Sequence, residues 1–185
     1  MNIYFNIETC PPMGTMPNPN AVKVPKNFKN PDLIKARQHE GALGAWEKLA
    51  VNPLLAQVFC ITLLMEDEDA PRYWMWVKEN ELIHQVNTWL VQDLYQRPGL
   101  DGFRWVTFNG IAFDHHFMWL RALKYGAREL ATEMRCRSRW GDERHLDLKQ
   151  VLADPTKATP TEGTLDDYYS FFDVTVDNPI GGAQV

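Results

Sequence analysis

The first ten residues constrain this chain most: an apolar run of Ile3, Tyr4, Phe5 and Ile7 carries two polar side chains, Asn6 and Glu8, near its end. Residues two apart in a strand project to the same side. Asn6 and Glu8 therefore point together from the end of a buried strand into a common cleft, as two potential metal-binding side chains on one face. Far along the chain, Thr107-Phe108-Asn109-Gly110-Ile111-Ala112-Phe113-Asp114 repeats the design: a strand ends, Gly110 turns the chain and a carboxylate opens a helix. A fold that joins the two segments brings Asp114 to Glu8.

The rest of the chain is read as the scaffold that joins them. With 185 residues, 45% of them hydrophobic and 12% aromatic, it can bury one substantial core, so residues 1–185 are expected to form a single domain. Strands are expected over residues 56–65, 72–77 and 103–108, the first two linked as a hairpin after the N-terminal strand. Helices are expected over residues 79–95, where Leu82, Val86, Trp89, Leu90 and Leu94 share a face, and 114–124, stopped by Gly126. Shorter helical pieces are expected over 42–51 and 147–152, and one from a capping start at Thr164 through residue 172. Residues 11–40, rich in Pro, Asn and Lys, read as a long excursion with at most short helical pieces. Strands followed by alternating strand and helix imply an α/β fold with a mixed sheet and helices packed on it.

The two polar segments resemble the 3′-5′ exonuclease domains of the ribonuclease-H-like superfamily, in which a DxE motif on the first strand pairs with a later NxxxFD motif. Asn109, Phe113 and Asp114 match the second motif in the form found in B-family DNA polymerase proofreading domains and their stand-alone relatives. Arg144-His145-Leu146-Asp147-Leu148 resembles the RxxDL region that follows it. The first motif departs from the pattern, because Asn6 stands where the family has Asp, followed by the expected Glu8 and Thr9. The resemblance covers nearly the whole chain and implies a three-layer fold with a five-stranded mixed sheet flanked by helices. It implies Glu8 and Asp114 as catalytic carboxylates, Asn6, Glu8 and Asp114 as metal-binding positions, and Thr9, Asn109 and Phe113 as substrate contacts.

The family also needs a third motif, YxxxD or HxxxD. Tyr169 and Asp173 form such a string. The segment from Leu165 to Val185, however, resembles the part that precedes the third motif in stand-alone relatives, and this places the motif beyond Val185. The chain is then a shortened form, or needs a partner to complete its site.

The implied cofactor is a pair of Mg²⁺ or Mn²⁺ ions, about 3.5 to 4 Å apart and held by several anionic oxygens. Asn6 offers one neutral carbonyl oxygen and removes a negative charge where two dications repel, so metal affinity and turnover are expected to fall severely. Such an exchange arises by natural loss and also by deliberate substitution, and the sequence is compatible with both. With Asp in place of Asn6, the implied reaction is hydrolysis of the terminal phosphodiester with release of a 5′ monophosphate. The implied partner is DNA with single-stranded 3′ ends, RNA being the lesser match, and the implied roles are repair, phage replication or phage defence. The alternative reading is a naturally inactive nuclease-like module that binds nucleic acid or a protein partner.

Charge and composition narrow this further. A net charge of −5 argues against indiscriminate duplex binding. Local basic groups remain, Lys23, Lys26, Lys29, Lys35 and Arg37 in one, and Arg121, Lys124, Arg128, Arg135, Arg137, Arg139 and Arg144 in the other, read as a basic groove or as solvated faces. No membrane span or signal peptide is indicated, so a cytoplasmic protein is expected. Cys10, Cys60 and Cys136 lack any CxxC, which argues against a disulfide framework or zinc site. His115 and His116, adjacent on a helix, point about 100° apart and do not chelate one ion together. Asp147 is read as structural. No phosphate loop and no GxSxG elbow occurs.

Overall fold

The N-terminal run becomes the central strand of a five-stranded mixed sheet. In the computed structural model, which describes residues 1–14, 16–75, 78–100, 102–135, 143–153 and 163–175, β1 (Asn2–Cys10) buries Ile3, Phe5 and Ile7 on one face and exposes Tyr4 and Asn6 on the other. β2 (Gln57–Met65) pairs with it antiparallel, Ile3 opposite Met65 and Ile7 opposite Ile61. β3 (Arg72–Met75) continues antiparallel outside β2. On the other side of β1, β4 (Arg104–Thr107) and then β5 (His145–Asp147) run parallel to it, giving the order β3-β2-β1-β4-β5.

Six helices flank the sheet among the described residues: α1 (Pro31–Glu47), α2 (Glu79–Trp89), α3 (Asp114–Tyr125), α4 (Arg128–Glu133), α5 (Leu148–Leu152) and α6 (Leu165–Phe171). Leu82, Ile83, Val86 and Trp89 of α2, with Phe117, Met118 and Ala122 of α3, form one buried cluster with the apolar face of β1 and β2. Trp105 of β4 meets Phe5 and Phe103 edge-on, with centroids 5.6 and 5.4 Å away. Such pairs add about 0.5–1.5 kcal/mol beyond their buried area. No helix of the described residues is long and apolar enough to cross a membrane.

Several boundaries follow from local chemistry. Gly126 ends α3 in the left-handed region at φ 72, as its position in the sequence predicts. Thr164 and Asp167 form a reciprocal capping box that starts α6. α2 passes into a π-helical turn, Leu90–Leu94, within the helix expected over 79–95. Residues 76 and 77, at the end of the strand expected over 72–77, lie outside the described residues.

The structure corrects the reading of residues 11–51. Instead of short pieces and a helix over 42–51, α1 runs unbroken from Pro31 to Glu47 and is followed by a 3₁₀ turn, Lys48–Val51. Asn30 caps it by accepting from the Asp32 and Leu33 amides, with Pro31 in the first turn. Only Ala42 of α1 is buried. Apolar periodicity therefore carried no signal, and the cap alone marked the start. The resemblance implied a fifth strand without placing it, and neither β5 nor α4, three and six residues long, was read from the residues.

The turn between β4 and α3 requires glycine at one point. A Cβ on Gly110 would sit 2.2 Å from Thr107 Oγ1 and 2.4 Å from Thr107 Cβ. Thr107 is buried, β-branched and hydrogen-bonded to His145 at 2.8 Å, so it has little room to yield. Gly110→Ala is expected to destabilise the chain by about 1–3 kcal/mol. Thermal unfolding should show this as a fall in Tm of several degrees.

Candidate functional site

The site begins where β1 and β4 part. Their parallel pairing runs from Asn2 opposite Arg104 to Tyr4 opposite Val106, and β1 then continues to Cys10 paired with β2 alone. Where the strands separate, a backbone donor of β1 would lose its partner. Asp114, the first residue of α3, supplies one: its Oδ1 accepts the Ile7 amide at 3.0 Å. The chain leaves β1 toward β2 on one side, and the route through β4 and α3 leads to β5 on the other. In open α/β sheets, ligands bind in the crevice that such a reversal leaves at the carboxyl ends of the strands.

A cleft of about 420 Å³ opens there, lined by Asn6, Glu8 and Thr62 together with Tyr4, Phe108 and Tyr169. Asn6 Nδ2 donates to Glu8 Oε1 at 3.3 Å, so the two side chains share a face as the two-residue spacing requires. Asp114 is not among the residues lining this cleft. It lies behind the strand end, 5% exposed, and reaches the same segment through the Ile7 amide between Asn6 and Glu8. Burial pushes its carboxyl up to about 7, opposed by the Ile7 hydrogen bond and reinforced by the charges of Asp147 and Glu8. The structure thus brings Asp114 to the backbone of the segment that carries Asn6 and Glu8, from a sequence position more than 100 residues away.

Glu8, Asp114 and the amide oxygen of Asn6 are hard oxygen donors of the kind Mg²⁺ and Mn²⁺ take. As placed, however, Asn6 turns its nitrogen to Glu8, and among the described residues no three His, Cys, Asp or Glu side chains are grouped to hold a metal ion. With Asp114 turned to the Ile7 backbone and outside the cleft, the residues as placed fall short of what two adjacent dications require.

The other expected residues are placed as follows. Thr9 donates its hydroxyl to the Ala50 carbonyl at 2.7 Å, tying the end of β1 to the 3₁₀ turn. Asn109 adopts the left-handed region at φ 66, and its amide donates to Asp147 Oδ1 at 2.7 Å. Phe113 caps α3 by position, and its ring meets that of Phe117 at a tilt with centroids 5.5 Å apart. Asp147 is buried and accepts three amides, those of Asn109, Ile111 and Lys149. Tyr169 lines the cleft, whereas Asp173 is exposed beyond α6 at φ 53.

One correction concerns charge. Arg121 is 2% exposed and ion-paired with Glu79, so it does not belong to a basic groove. Arg137 and Arg139 lie outside the described residues. His145 is buried, stacked on His115 at 3.6 Å and hydrogen-bonded to Thr107, while His116 is exposed. Burial, and secondarily the neighbouring His145, holds His115 well below the usual histidine range and so neutral.

Sequence reasoning missed the cleft's aromatic wall and the buried ion pair. Phe108 meets Tyr168 edge-on at 5.6 Å and so docks α6 beside the strand end, a contact across 60 residues that no local pattern reports. Arg121 did leave a signal, since it follows Phe117 by four residues and Met118 by three, on the buried stripe of α3. The chain matches no known protein-family model and no curated protein.

A pH dependence follows from Asp114. Its folded carboxyl holds a proton more tightly than the unfolded one, so its contribution to stability is intact below the ordinary Asp value of 3.8 and is lost as pH rises toward about 7. Without metal, Asp114→Asn should therefore stabilise the protein at pH 8 relative to its effect at pH 4, by on the order of 4 kcal/mol. Denaturant unfolding of both forms at the two pH values measures this difference. An effect independent of pH would contradict the assignment.

Proposed function

We propose that this chain is a 3′-5′ exonuclease-like domain of ribonuclease-H-like architecture whose present form is disabled by Asn6. The observation that carries the reading is that Asn6 and Glu8 share one face at the parting of β1 and β4, with the Ile7 amide between them bound to Asp114 at 3.0 Å. The strand order β3-β2-β1-β4-β5, antiparallel at β2 and β3 and parallel beyond β1, supports it. So does the agreement of Asn109, Phe113 and Asp114 with the second motif.

In this reading Glu8 and Asp114 supply the anionic oxygens that position divalent ions, which when bound activate water and stabilise the leaving 3′ oxygen. The aromatic wall of Tyr4, Phe108 and Tyr169 suits unpaired bases, because every base has a face to stack. Single-stranded 3′ ends of DNA are the proposed substrate. No carboxylate of the described third-motif string reaches the cleft, so the proposed domain needs a further acidic donor for full activity.

A second reading rests on a specific contact. The Asn6 amide donates to Glu8, which gives that carboxylate a neutral partner without any cation. That arrangement favours a module retaining the nuclease scaffold and binding nucleic acid or protein without cleavage.

Mn²⁺-dependent digestion of 5′-labelled single-stranded DNA separates the two. The Asn6→Asp variant is expected to shorten the strand from its 3′ end at least about 100-fold faster than the unchanged chain, the scale of restoring one essential charged group. Adding Asp114→Ala should abolish the gain, whereas His116→Ala should leave it. Equal rates from all four proteins would remove the proposed site, and binding without cleavage by the Asn6→Asp form would favour the second reading.

A further inference from the structure

A second constellation lies behind the cleft and takes no part in it directly. Glu79, at the start of α2, and Arg121, on α3, are 5% and 2% exposed and form a bidentate ion pair. Arg121 Nε donates to Glu79 Oε1 at 2.6 Å and its terminal nitrogen to Oε2. The Tyr125 hydroxyl donates to the same Oε2 at 2.6 Å. Oε1 also accepts the Val58 amide at 2.8 Å. Removing one partner of such a pair leaves an uncompensated buried charge, and an apolar replacement of both is often no less stable. Stability alone is therefore a weak reason for its presence.

Its placement offers a stronger one. The pairing of β1 with β2 shifts register between Glu8 and Thr9: Glu8 faces Cys60, Thr9 faces Val58, and Phe59 is the extra residue. Bulges of this kind re-aim side chains beside functional sites. The amide clamped by Glu79 belongs to Val58, directly after the shift. Arg121 lies seven residues, two helical turns, after Asp114 on α3, so both project toward the sheet. α3 is thereby fastened to the β1–β2 pair twice, through Asp114 to Ile7 and through Arg121 and Glu79 to Val58.

We infer that Glu79 and Arg121 are positioning residues that fix α3 against the bulge and so set the separation of Glu8 from Asp114. The inference rests on the proposed function for its consequence in metal binding, though not for its geometry. The guanidinium fork suits this use because it is planar and bonds both carboxylate oxygens, whereas a lysine at the same place would keep the charge and lose the fixed orientation.

Amide hydrogen exchange tests the geometry, and Mn²⁺ titration tests its consequence. Arg121→Lys is compared with Leu130→Ala, a cavity in α4 that lowers overall stability while removing none of the clamp's hydrogen-bonding groups. Arg121→Lys is expected to lower protection of both the Val58 and Ile7 amides by about tenfold or more beyond the Leu130→Ala control. In an Asn6→Asp background it should raise the Mn²⁺ Kd by about tenfold, within the range for residues that orient ligands. The inference is overturned if Ile7 keeps its protection while Val58 loses it, since the clamp then holds the bulge without reaching Asp114. It is equally overturned if Leu130→Ala lowers both amides and the affinity as much. Should the Asn6→Asp protein bind no Mn²⁺ at all, the nuclease reading fails, and the Ile7 amide alone decides the positioning role.

Discussion

Everything distinctive about this molecule follows from the point at which β1 loses one neighbour. β1 has an antiparallel partner along its length and a parallel partner only as far as Tyr4, so the far half of a central strand stands at an opening. A buried backbone donor left there without a partner would cost on the order of 1–3 kcal/mol. Asp114 removes that cost at Ile7, and in doing so a carboxylate is drawn out of water to a depth at which it holds its proton up to about pH 7. One contact thus satisfies the open strand end and holds the first residue of α3 against the backbone between Asn6 and Glu8.

Around that point the polar groups are tied down in layers. Asp147 satisfies three amides of the turn and of α5, including that of Asn109, whose left-handed backbone lets the chain pass from β4 toward α3. Gly110 allows that turn to press on Thr107, and Thr107 in turn holds His145 beneath the stacked His115. Glu79 and Arg121 fasten the other side. Asp147, Thr107, His145, Glu79 and Arg121 are buried, and each bonds a residue of another element or of the turn, so the strand end has little freedom to drift.

The same distribution explains what could be read from the sequence. The spacing of Asn6 and Glu8 and the turn-then-acid pattern ending at Asp114 are local, and they were legible because strand and helix geometry translate short spacings directly into shared faces. The Gly126 stop and the Thr164 cap were legible for the same reason. α1 was not, because its stability comes from an N-cap and helix formers while only Ala42 is buried. β5 is three residues long and ends on a residue that also caps a helix, so it carried no period of its own. Arg121 was counted with surface cations because charge suggested solvent. Only its place on the buried stripe of α3 pointed to a partner, and that partner sits 42 residues away.

The composition of the cleft bears on how Asn6 and Asp114 act together. A carboxylate at position 6 would stand about where the amide now lies, 3.3 Å from Glu8, and two anions at that distance repel unless a cation sits between them. Asn6 replaces this repulsion with a hydrogen bond, and the raised proton affinity of Asp114 lessens the remaining charge near neutral pH. The site as it stands is therefore stable without ions, whereas the proposed catalytic form would trade that stability for metal affinity, in the manner of active sites that carry strained or repelling groups. The Ile7 amide holds Asp114 independently of position 6, whereas Glu8 accepts from the Asn6 side chain itself, so an exchange at position 6 acts first on Glu8. The scaffold can accordingly persist unchanged under either residue, with position 6 deciding whether the opening between β1 and β4 calls for cations or remains a neutral cleft.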